Sequence, residues 1–288
     1  MTQLRGRVVA LSGAASGIGR ALAARLAAEG AHFALADIRD DELASSADAA
    51  RAAGVTVTTH HVDVSQRADV ERWAAEAVAA HGRVGALINN AGVATHGTFD
   101  EHTIEDFEWL FGINFWGVLY GLKAFLPILK AEPDAHIANT SSIFGIVAPA
   151  GQAAYSASKF AVRGLSEVLR HELEGSKIRV SVIHPGGVAT NIAARARYHD
   201  NVPEAARAMY AEKFRTVART SPAAAADIIV RGIVTNKKRI LVGIDAVGLD
   251  LLQRMRPAGY WAGIRMVWDP HQFDAEVAQK TGRTRGAS

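Results

Sequence analysis

Two side chains in the segment 151–166, GQAAYSASKFAVRGLS, have the types and spacing of a proton-transfer pair: Tyr155 and Lys159. The segment has a helical composition, and residues four apart on a helix share one face, with Cβ atoms about 6 Å apart. A free phenol has a pKa near 10, and lowering that pKa to about 7 requires about 4 kcal/mol. One positive charge about 4 Å away supplies about 4 kcal/mol at an effective dielectric constant of about 20. The spacing therefore predicts that Lys159 makes the Tyr155 hydroxyl a usable general acid or base.

The pair alone is a weak signal, because a lysine four residues after a tyrosine also arises by chance on the surface of a helix. Two further polar residues favour a site. Ser142 ends the run HIANTSS, which is typical of a strand, 13 residues before Tyr155. Asn114 lies in INFWG, within a separate helical stretch where asparagine is unfavourable by propensity and needs a partner.

A motif near the N-terminus predicts a phosphate-binding turn. The apolar strand VVALSG runs into GAASGIGRALAARLAAEG, with glycines at positions 13, 17 and 19. This GxxxGxG spacing departs from the GxGxxG fingerprint of many dinucleotide sites. Glycines let a ligand approach the main chain, and the first amides of the following helix attract a pyrophosphate.

Taken together, the motifs resemble those of the short-chain dehydrogenase/reductase family in its single-domain form. SGAASGIG, NNAG, INFWG, the spacing of Ser142, Tyr155 and Lys159, and PGGVAT follow one another in the family's order, and the resemblance covers residues 5 to about 245. It implies catalysis by Tyr155 with Lys159, a substrate oxygen held by Ser142, and a water on Asn114 that links Lys159 to solvent. It also implies a set of cofactor contacts: Gly13, Ser16, Gly17, Ile18, Gly19, Asp63, Val64, Asn90, Ala91, Gly92, Tyr155, Lys159, Pro185, Gly186, Val188 and Thr190.

Short apolar strands alternate with amphipathic helical segments along the chain. This pattern predicts an α/β fold with a Rossmann-like, doubly wound parallel β-sheet and helices on both faces. Predicted elements include strands at 7–12, 55–64 and 239–243 and helices at 17–29, 66–81 and 103–129. We expect one domain, with a dinucleotide-binding and catalytic part at 1–245 and a C-terminal extension at 246–288.

Asp37 ends the predicted second strand, HFALAD, about 20 residues after the glycine turn. A carboxylate at that place accepts hydrogen bonds from an adenosine ribose and repels a 2′-phosphate, so NAD is preferred over NADP. Arg39 lies two residues on and leaves open a turn toward a phosphate, and a solvated acid at a strand end is the alternative for Asp37.

The irregular segment 191–222 is predicted to be a substrate lid, because it follows the last cofactor turn and is longer than the other connections. Candidate apolar residues of the lid and its facing loop are Tyr198, Met209, Tyr210, Phe214, Phe144 and Ile146, with ordinary core as an equal alternative. Ser142, Phe144 and Tyr155 are the candidate substrate contacts. The apolar extension is expected to pack on a second subunit or over the mouth of the site.

Composition limits the other classes of function. The chain has 288 residues, no cysteine and a net charge of +3, and its basic residues are scattered, which disfavours nucleic acid as a partner. Neither HExxH nor a Cys/His cluster is present, and His60 and His61 are neighbours on a predicted strand that face opposite ways, so no metal is expected. The N-terminus lacks a signal-peptide pattern and no apolar run reaches about 18 residues, so we expect no membrane span and a cytoplasmic protein.

The sequence therefore predicts an oxidoreductase that transfers hydride between a nicotinamide cofactor, preferably NAD, and a hydrophobic secondary alcohol or ketone. One alternative is a ketone or 3-oxoacyl reductase that uses NADPH. Another, from a different class, is a nucleotide-binding scaffold without turnover. The resemblance further implies a homodimer or homotetramer.

Overall fold

The computed structural model describes residues 2–199, 202–267 and 270–281. Its strands are β1 (Val8–Ser12), β2 (His32–Asp37), β3 (Val57–His61), β4 (Ala86–Asn89), β5 (Thr95–His96), β6 (Ala135–Thr140), β7 (Ile178–Pro185), β8 (Arg197–Tyr198) and β9 (Arg239–Val242). Its α-helices are α1 (Gly17–Ala28), α2 (Asp40–Arg51), α3 (Arg67–His81), α4 (Ile104–Phe111), α5 (Gly117–Lys130), α6 (Ala153–Glu172), α7 (Glu204–Val217), α8 (Pro222–Val234), α9 (Ile244–Met255), α10 (Tyr260–Val267) and α11 (Pro270–Thr281).

Seven of the strands form one parallel sheet in the order β3-β2-β1-β4-β6-β7-β9. The chain builds outward from β1 to β3 on one side and then returns to place β4 on the other side of β1. In such a sheet the crevice beyond the carboxyl ends of the strands, where the order reverses, is the usual ligand site. The predicted fold class is confirmed.

Both faces of the sheet are covered by apolar helix faces, which explains why its strands are almost continuously apolar. Helices α1 and α8 cover one face, and the stripe predicted for α1 is confirmed: Leu22 and Leu26 are fully buried and Ile18 packs beside them. Helices α3, α5 and α6 cover the other face, where Trp73 meets Phe125 edge to face at 4.8 Å between ring centroids.

Two predicted elements differ from the structure. The third strand is shorter than 55–64 and ends at His61, so Asp63 and Val64 lie in the loop beyond it. The helix predicted at 103–129 is one continuous helical stretch, but its middle, Gly112–Trp116, is a π-helical turn between α4 and α5. A π turn adds a residue per turn and is frequent at functional sites.

The C-terminal extension packs on its own chain. Helices α9 and α10 cover the loop after β6, where Ile143, Ile146 and Val147 share an apolar cluster with Ala246 and Ile264. Helix α11 packs on α7, within the segment predicted to be a lid, and that segment is held at its start by the pairing of β5 with β8. Trp268, an apolar residue of the predicted extension 246–288, lies outside the described residues.

The stretch Ile104–Lys130 is long and apolar enough to cross a membrane by length and composition. It packs in the sheet core through Val118, Leu122, Phe125 and Leu129, which are buried. Among the residues that the structure describes, no group of three or more His, Asp or Glu side chains is arranged to hold a metal ion.

Candidate active site

Tyr155 and Lys159 lie one turn apart near the start of α6, as their spacing predicts. The Lys159 Nζ atom is 5.7 Å from the centroid of the Tyr155 ring and donates a hydrogen bond to the Thr140 carbonyl oxygen at 3.1 Å. Lys159 is only 3% exposed. An ammonium with one carbonyl partner therefore lies beneath the phenol, between α6 and the end of β6.

Ser142 follows β6 by two residues and faces Tyr155 across this end of the sheet. It begins a short 3₁₀ turn, Ile143–Gly145, and its Oγ atom accepts a hydrogen bond from the Phe144 amide at 3.1 Å. The Ser142 side chain is near enough to the Tyr155 hydroxyl to affect its pKa. The Phe144 ring stands edge-on to that of Tyr155, with centroids 6.2 Å apart, so two hydroxyls and one apolar ring surround a common space.

Burial governs the ionisation of this pair. It raises the pKa of Tyr155 above its ordinary value of 10.0, and the hydrogen bond with Ser142 opposes that rise. Burial lowers the pKa of Lys159 from 10.5 to about 8. The net shift of the Tyr155 pKa is thus upward, because desolvation outweighs the interaction with Ser142, and the lowering by Lys159 that the spacing predicts stays a prediction.

Asn114 is fully buried in the π turn and is tied to the loop after β4. Its Oδ1 accepts a hydrogen bond from the Val93 amide at 2.9 Å, and its Nδ2 donates to the Val93 carbonyl at 3.0 Å and to Ser158 Oγ at 3.3 Å. A Cβ atom at Gly92 would lie 3.1 Å from Asn114 Oδ1 and 3.4 Å from Lys159 Nζ, so both atoms border the same small space. The polar residue that propensity disfavours is therefore satisfied and lies beside Lys159.

The glycine turn lies at the carboxyl end of β1 and fits a dinucleotide phosphate. Gly13 and Gly17 have φ of +66° and +53°, and a Cβ at Gly13 would lie 2.7 Å from the Ala91 Cα. A Cβ at Gly19 would overlap the Gly13 carbonyl oxygen. Ser16 occupies the N-cap position of α1 without a side-chain cap bond, which leaves the first helix amides for an anion.

Asp37 ends β2 beside this turn and is 7% exposed. Its Oδ2 accepts a hydrogen bond from the Ala15 amide at 3.0 Å, and its Oδ1 accepts from the Arg39 amide at 3.2 Å and from Arg39 Nε at 3.3 Å. The Arg39 guanidinium also donates to Ser16 Oγ at 2.9 Å and to Glu42 at 2.9 Å. A carboxylate and a guanidinium therefore lie together where the adenosine ribose of a dinucleotide would bind.

The remaining predicted contacts of the adenosine half form the wall of this crevice. Asn90 donates through Nδ2 to the carbonyl oxygens of Ser12 and Gly13 at 3.2 Å, so its side chain holds the glycine turn in place. Asp63 accepts from the amide and hydroxyl of Ser65 at 2.9 and 2.7 Å and closes a turn. Val64 packs closely on Gly117, where an added Cβ atom would lie only 2.9 Å from the Cγ2 atom of Val64.

The loop after β7, from Pro185 to Thr190, lies across the glycine turn. The Thr190 methyl group would be 3.1 Å from a Cβ at Gly17, and Val188 forms a bridge with Thr220. Asp245 in the first turn of α9 accepts a hydrogen bond from the Gly187 amide at 2.6 Å. Sequence reasoning missed Asp245; its one local signal is an acid in the first turn of a helix directly after the last strand.

Most of the predicted lid residues are engaged in packing. Tyr198, Met209 and Tyr210 belong to an apolar cluster with Val277 of α11, and the Tyr210 hydroxyl donates to Asp274 at 2.7 Å. Ile146 is 2% exposed beneath α9 and α10, while Phe214 is half-buried outside these clusters. The interpretation of these residues as ordinary core is thus the better one for Tyr198, Tyr210 and Ile146.

Sequence reasoning also missed His96 and Gln152, which connect the lid to the catalytic helix. The His96 ring lies 4.0 Å from that of Tyr210 and 5.7 Å from that of Tyr198, measured between centroids. Gln152 Nε2, at the N-cap position of α6, lies 3.4 Å from His96 Nδ1. The pairing of β5 with β8 places His96 beside Tyr198, and bonds from Gln152 Nε2 to the Thr95 carbonyl and from the Gly97 amide to the Gly151 carbonyl, both at 3.4 Å, join β5 to the start of α6; neither two-residue strand has a sequence pattern of its own.

Comparison with known proteins places this geometry among nicotinamide-dependent enzymes. Residues 7–201 match the sequence profile of the family described as short chain dehydrogenase. SadH of Mycobacterium tuberculosis, itself assigned only provisionally as an oxidoreductase, is 41% identical over 263 residues, which cover 90% of this chain and 94% of that protein. A 3-alpha-(or 20-beta)-hydroxysteroid dehydrogenase of Mycobacterium bovis is 37% identical over 65% of this chain and 71% of its own length. A solved short chain dehydrogenase/reductase from Burkholderia phymatum in complex with NAD superposes with a TM-score of 0.81 and 31% identity, covering 94% and 98% of the two chains.

Proposed function

The chain belongs to the short-chain dehydrogenase family and is an oxidoreductase acting on CH–OH donors with a nicotinamide cofactor, and we propose that its reaction is the NAD-linked interconversion of a hydrophobic secondary alcohol and its ketone. One observation carries the proposal. The Ser142 and Tyr155 side chains lie close enough to interact, with Lys159 Nζ 5.7 Å from the Tyr155 ring, at the same edge of the sheet as the glycine turn.

In this proposal Tyr155 moves the proton. In the oxidising direction its oxygen accepts the proton of the substrate hydroxyl, and in the reducing direction its hydroxyl returns a proton to the carbonyl oxygen. When bound, the nicotinamide supplies the hydride chemistry at the carbinol carbon. Ser142 donates a hydrogen bond to the same substrate oxygen and stabilises the charge that develops there.

Lys159 and Asn114 support the proton transfer. A positive charge at Lys159 opposes the effect that burial has on the Tyr155 pKa, so the phenol depends on a lysine that is protonated below about pH 8. The space that Asn114 Oδ1 and Lys159 Nζ share beside Gly92 supports a water between them, through which the proton reaches solvent.

The residues of the crevice fit a dinucleotide. The glycine turn and the uncapped first turn of α1 would hold the pyrophosphate, Asp37 the adenosine ribose, and the 185–190 loop the nicotinamide end, with Lys159 on its ribose. We propose NAD as the preferred cofactor, because the Asp37 carboxylate is fixed at the ribose position by the Ala15 and Arg39 amides. The NAD complex of the Burkholderia phymatum structure supports this choice.

NADPH-dependent reduction of a ketone or 3-oxoacyl group is the second candidate. One observation favours it: the Arg39 guanidinium spans the distance from Asp37 to Ser16, where it would meet a 2′-phosphate. It gives way to the first candidate because Arg39 is already paired with Asp37 and Glu42. A scaffold without turnover would require none of the four catalytic groups to converge.

The apolar Phe144 ring beside Tyr155 supports a hydrophobic substrate, and the hydroxysteroid dehydrogenase of Mycobacterium bovis supports an alicyclic secondary alcohol. We also propose a cytoplasmic homodimer or homotetramer. Exposed apolar side chains on α6 and on the π turn, Trp116, Phe160 and Val168, support association of subunits.

A turnover assay tests the proposal. The wild type is screened with secondary alcohols and ketones, including hydroxysteroids, with both NAD and NADP, by following nicotinamide absorbance. Tyr155→Phe is then expected to lose at least about 10²-fold in kcat, because it loses the general acid and base, while NADH still binds. Turnover by Tyr155→Phe within tenfold of wild type would refute the role of Tyr155.

A further inference from the structure

His184 is a buried titratable residue that the proposed reaction does not use. It is the next-to-last residue of β7 and is fully buried. Its Nδ1 atom lies 2.9 Å from the main-chain carbonyl oxygen of Ser142. A carbonyl oxygen only accepts, so Nδ1 carries the hydrogen and donates it, and Nε2 bears the lone pair. Within the described part of the chain Nε2 has no hydrogen-bond partner, so the ring makes this one bond.

The bond lies where the main-chain pairing of β6 and β7 ends. The Ser141 amide donates to the Ile183 carbonyl at 2.8 Å, which is the last rung between the two strands on this side. Pro185 has no amide hydrogen, so β7 cannot continue the ladder toward Ser142 from that position. The His184 ring provides the missing donor from a side chain, and it attaches Ser142 to the sheet one residue beyond the ladder.

The orientation of the Ser142 hydroxyl depends on that attachment. The Ser142 carbonyl oxygen accepts a second hydrogen bond from the Gly145 amide at 2.9 Å, and Ser142 Oγ accepts from the Phe144 amide at 3.1 Å. The 3₁₀ turn therefore holds both the side-chain oxygen and the carbonyl oxygen of Ser142. The His184 bond to the same carbonyl holds this turn to the sheet. Without the His184 bond the Ser142 carbonyl keeps only the bond from the Gly145 amide, so we expect the turn, and Ser142 Oγ with it, to be held less firmly beside Tyr155.

We propose that His184 is a positioning residue of the reaction, which holds the Ser142 hydroxyl against Tyr155 by anchoring the Ser142 carbonyl to β7. This inference rests on the proposed function. Burial lowers the pKa of His184 to about 4, although the hydrogen bond to Ser142 opposes that shift, so the ring is neutral at physiological pH and acts as a hydrogen-bond donor only.

Four single variants test the proposal in the full chain. His184→Leu removes the donor, and His184→Asn keeps it, because Asn Nδ2 takes the place of Nδ1 on Cγ. His184→Gln places its amide at the position of Nε2 instead. His136→Leu is the matched control, since His136 is also fully buried on a neighbouring strand, but its ring bonds to Thr2 and Ser181.

We expect His184→Leu and His184→Gln to lower kcat about 10- to 100-fold, because displacement of a positioning group by about 1 Å has effects of this size. The KM for NAD should stay within about twofold, since the hydrogen bond of the His184 ring goes to the Ser142 carbonyl. His184→Asn should recover kcat to within about threefold of wild type, and His136→Leu should keep kcat even if it unfolds at a lower temperature.

A double-mutant cycle with Ser142→Ala shows whether His184 acts through the serine. In the Ser142→Ala background, His184→Leu should lower kcat by less than about twofold. A wild-type kcat for His184→Leu, or an equal loss with and without Ser142, would overturn the proposal.

Hydrogen exchange at the Gly145 amide gives a readout that does not need turnover. We expect faster exchange in His184→Leu, and wild-type exchange in both His184→Asn and His136→Leu. If the wild type turns over no alcohol or ketone with either cofactor, the proposed function fails. Equal Gly145 exchange in all variants would then overturn the anchoring itself.

Discussion

Lys159→Met is expected to make the protein more stable at pH 7 while removing its activity. Burial lowers the pKa of Lys159 from 10.5 to about 8, so the folded state holds this proton less tightly than the unfolded state does. The difference corresponds to about 3 kcal/mol at about 1.4 kcal/mol per pKa unit. Methionine fills a similar volume without a charge, and its loss of the hydrogen bond to the Thr140 carbonyl costs about 1 kcal/mol. The expected gain at pH 7 is therefore about 2 kcal/mol, or about 5 °C in Tm.

The pH dependence identifies the cause. Below about pH 8 Lys159 is protonated in both states and the folded state carries the full penalty. Between about pH 8 and 10.5 the unfolded state binds more protons than the folded state, so the stability of the wild type rises with pH relative to the variant. The advantage of Lys159→Met should thus be largest at neutral pH and vanish as the pH approaches 10.5.

Urea unfolding, monitored by tryptophan fluorescence at pH 7, 8.5 and 9.5, measures the difference in the free energy of unfolding between the wild type and Lys159→Met. Lys123→Met, on the exposed side of α5, is the control for the substitution itself and should change stability by less than about 0.5 kcal/mol at every pH. Parallel stability curves for wild type and Lys159→Met across this pH range would refute the reasoning. So would a Lys159→Met variant that retains turnover, because the lysine would then carry its burial penalty without a catalytic reason.

Further substitutions test the two halves of the site. Asp37→Ala should reduce the ratio of kcat/KM for NAD to that for NADP by at least about tenfold, since about 1.4 kcal/mol of discrimination is tenfold, and an unchanged ratio would contradict the assignment of Asp37 to the ribose. Gly19→Ala should abolish NADH binding in a fluorescence titration, because its Cβ would overlap the Gly13 carbonyl, whereas Gly164→Ala, which meets nothing within 4 Å, should bind NADH normally. Val277→Asp buries a charge beneath α7, so it should raise the KM for the alcohol and make the lid sensitive to protease, with an unchanged KM for NAD. Ala275→Asp, on the exposed side of α11, should change neither the KM for the alcohol nor the sensitivity to protease. Equal effects of the two aspartates would show that α11 does not support the lid.

The sequence predicts those parts of the fold that depend on the local periodicity of apolar residues. The stripe through Ile18, Leu22 and Leu26 has helical spacing, and its burial follows from a sheet that has to be covered. The parallel direction of the strands follows in the same way, because parallel strands require crossovers and each crossover here contains a helix.

The ionisation of Tyr155 illustrates what local spacing leaves out. Its distance from Lys159 is fixed by the helix, but the local dielectric depends on β6, on the loop of Ser142 and on every group that excludes water from the pair. Desolvation acts on both groups and has the opposite sign to their attraction for the phenol. The spacing of one attractive pair therefore identifies the neighbour of the phenol, but it does not give the net direction of the phenol's pKa shift.

The π turn at Asn114 was not predictable from the same stretch. Its sequence continues the helical pattern, and the wider turn depends on Val93 and Ser158, which are 21 and 44 residues away. Asp245 and Tyr260 were missed for a similar reason, since each acts on a loop far away in sequence: Asp245 bonds to Gly187, and the Tyr260 hydroxyl accepts from the Ala148 amide at 3.0 Å. No sequence spacing predicts a hydrogen bond between a polar side chain and a main-chain amide that is far away in the sequence.

These long-range contacts separate the proposed chemistry from the proposed choice of substrate. The family profile ends at residue 201, and the matched part already contains the glycine turn and the Ser142, Tyr155 and Lys159 side chains. The loop that carries Phe144 is backed by α9 and α10, and Tyr210 of the lid is backed by α11, all beyond that residue. A change in α10 is therefore expected to move the Phe144 side chain, which packs against α9 and α10, while Tyr155 and Lys159 stay on α6. Since in the proposed reaction the substrate oxygen meets the Ser142 and Tyr155 hydroxyls whatever the alcohol, we expect substitutions in the extension to change which alcohol is accepted more than they change the proton transfer.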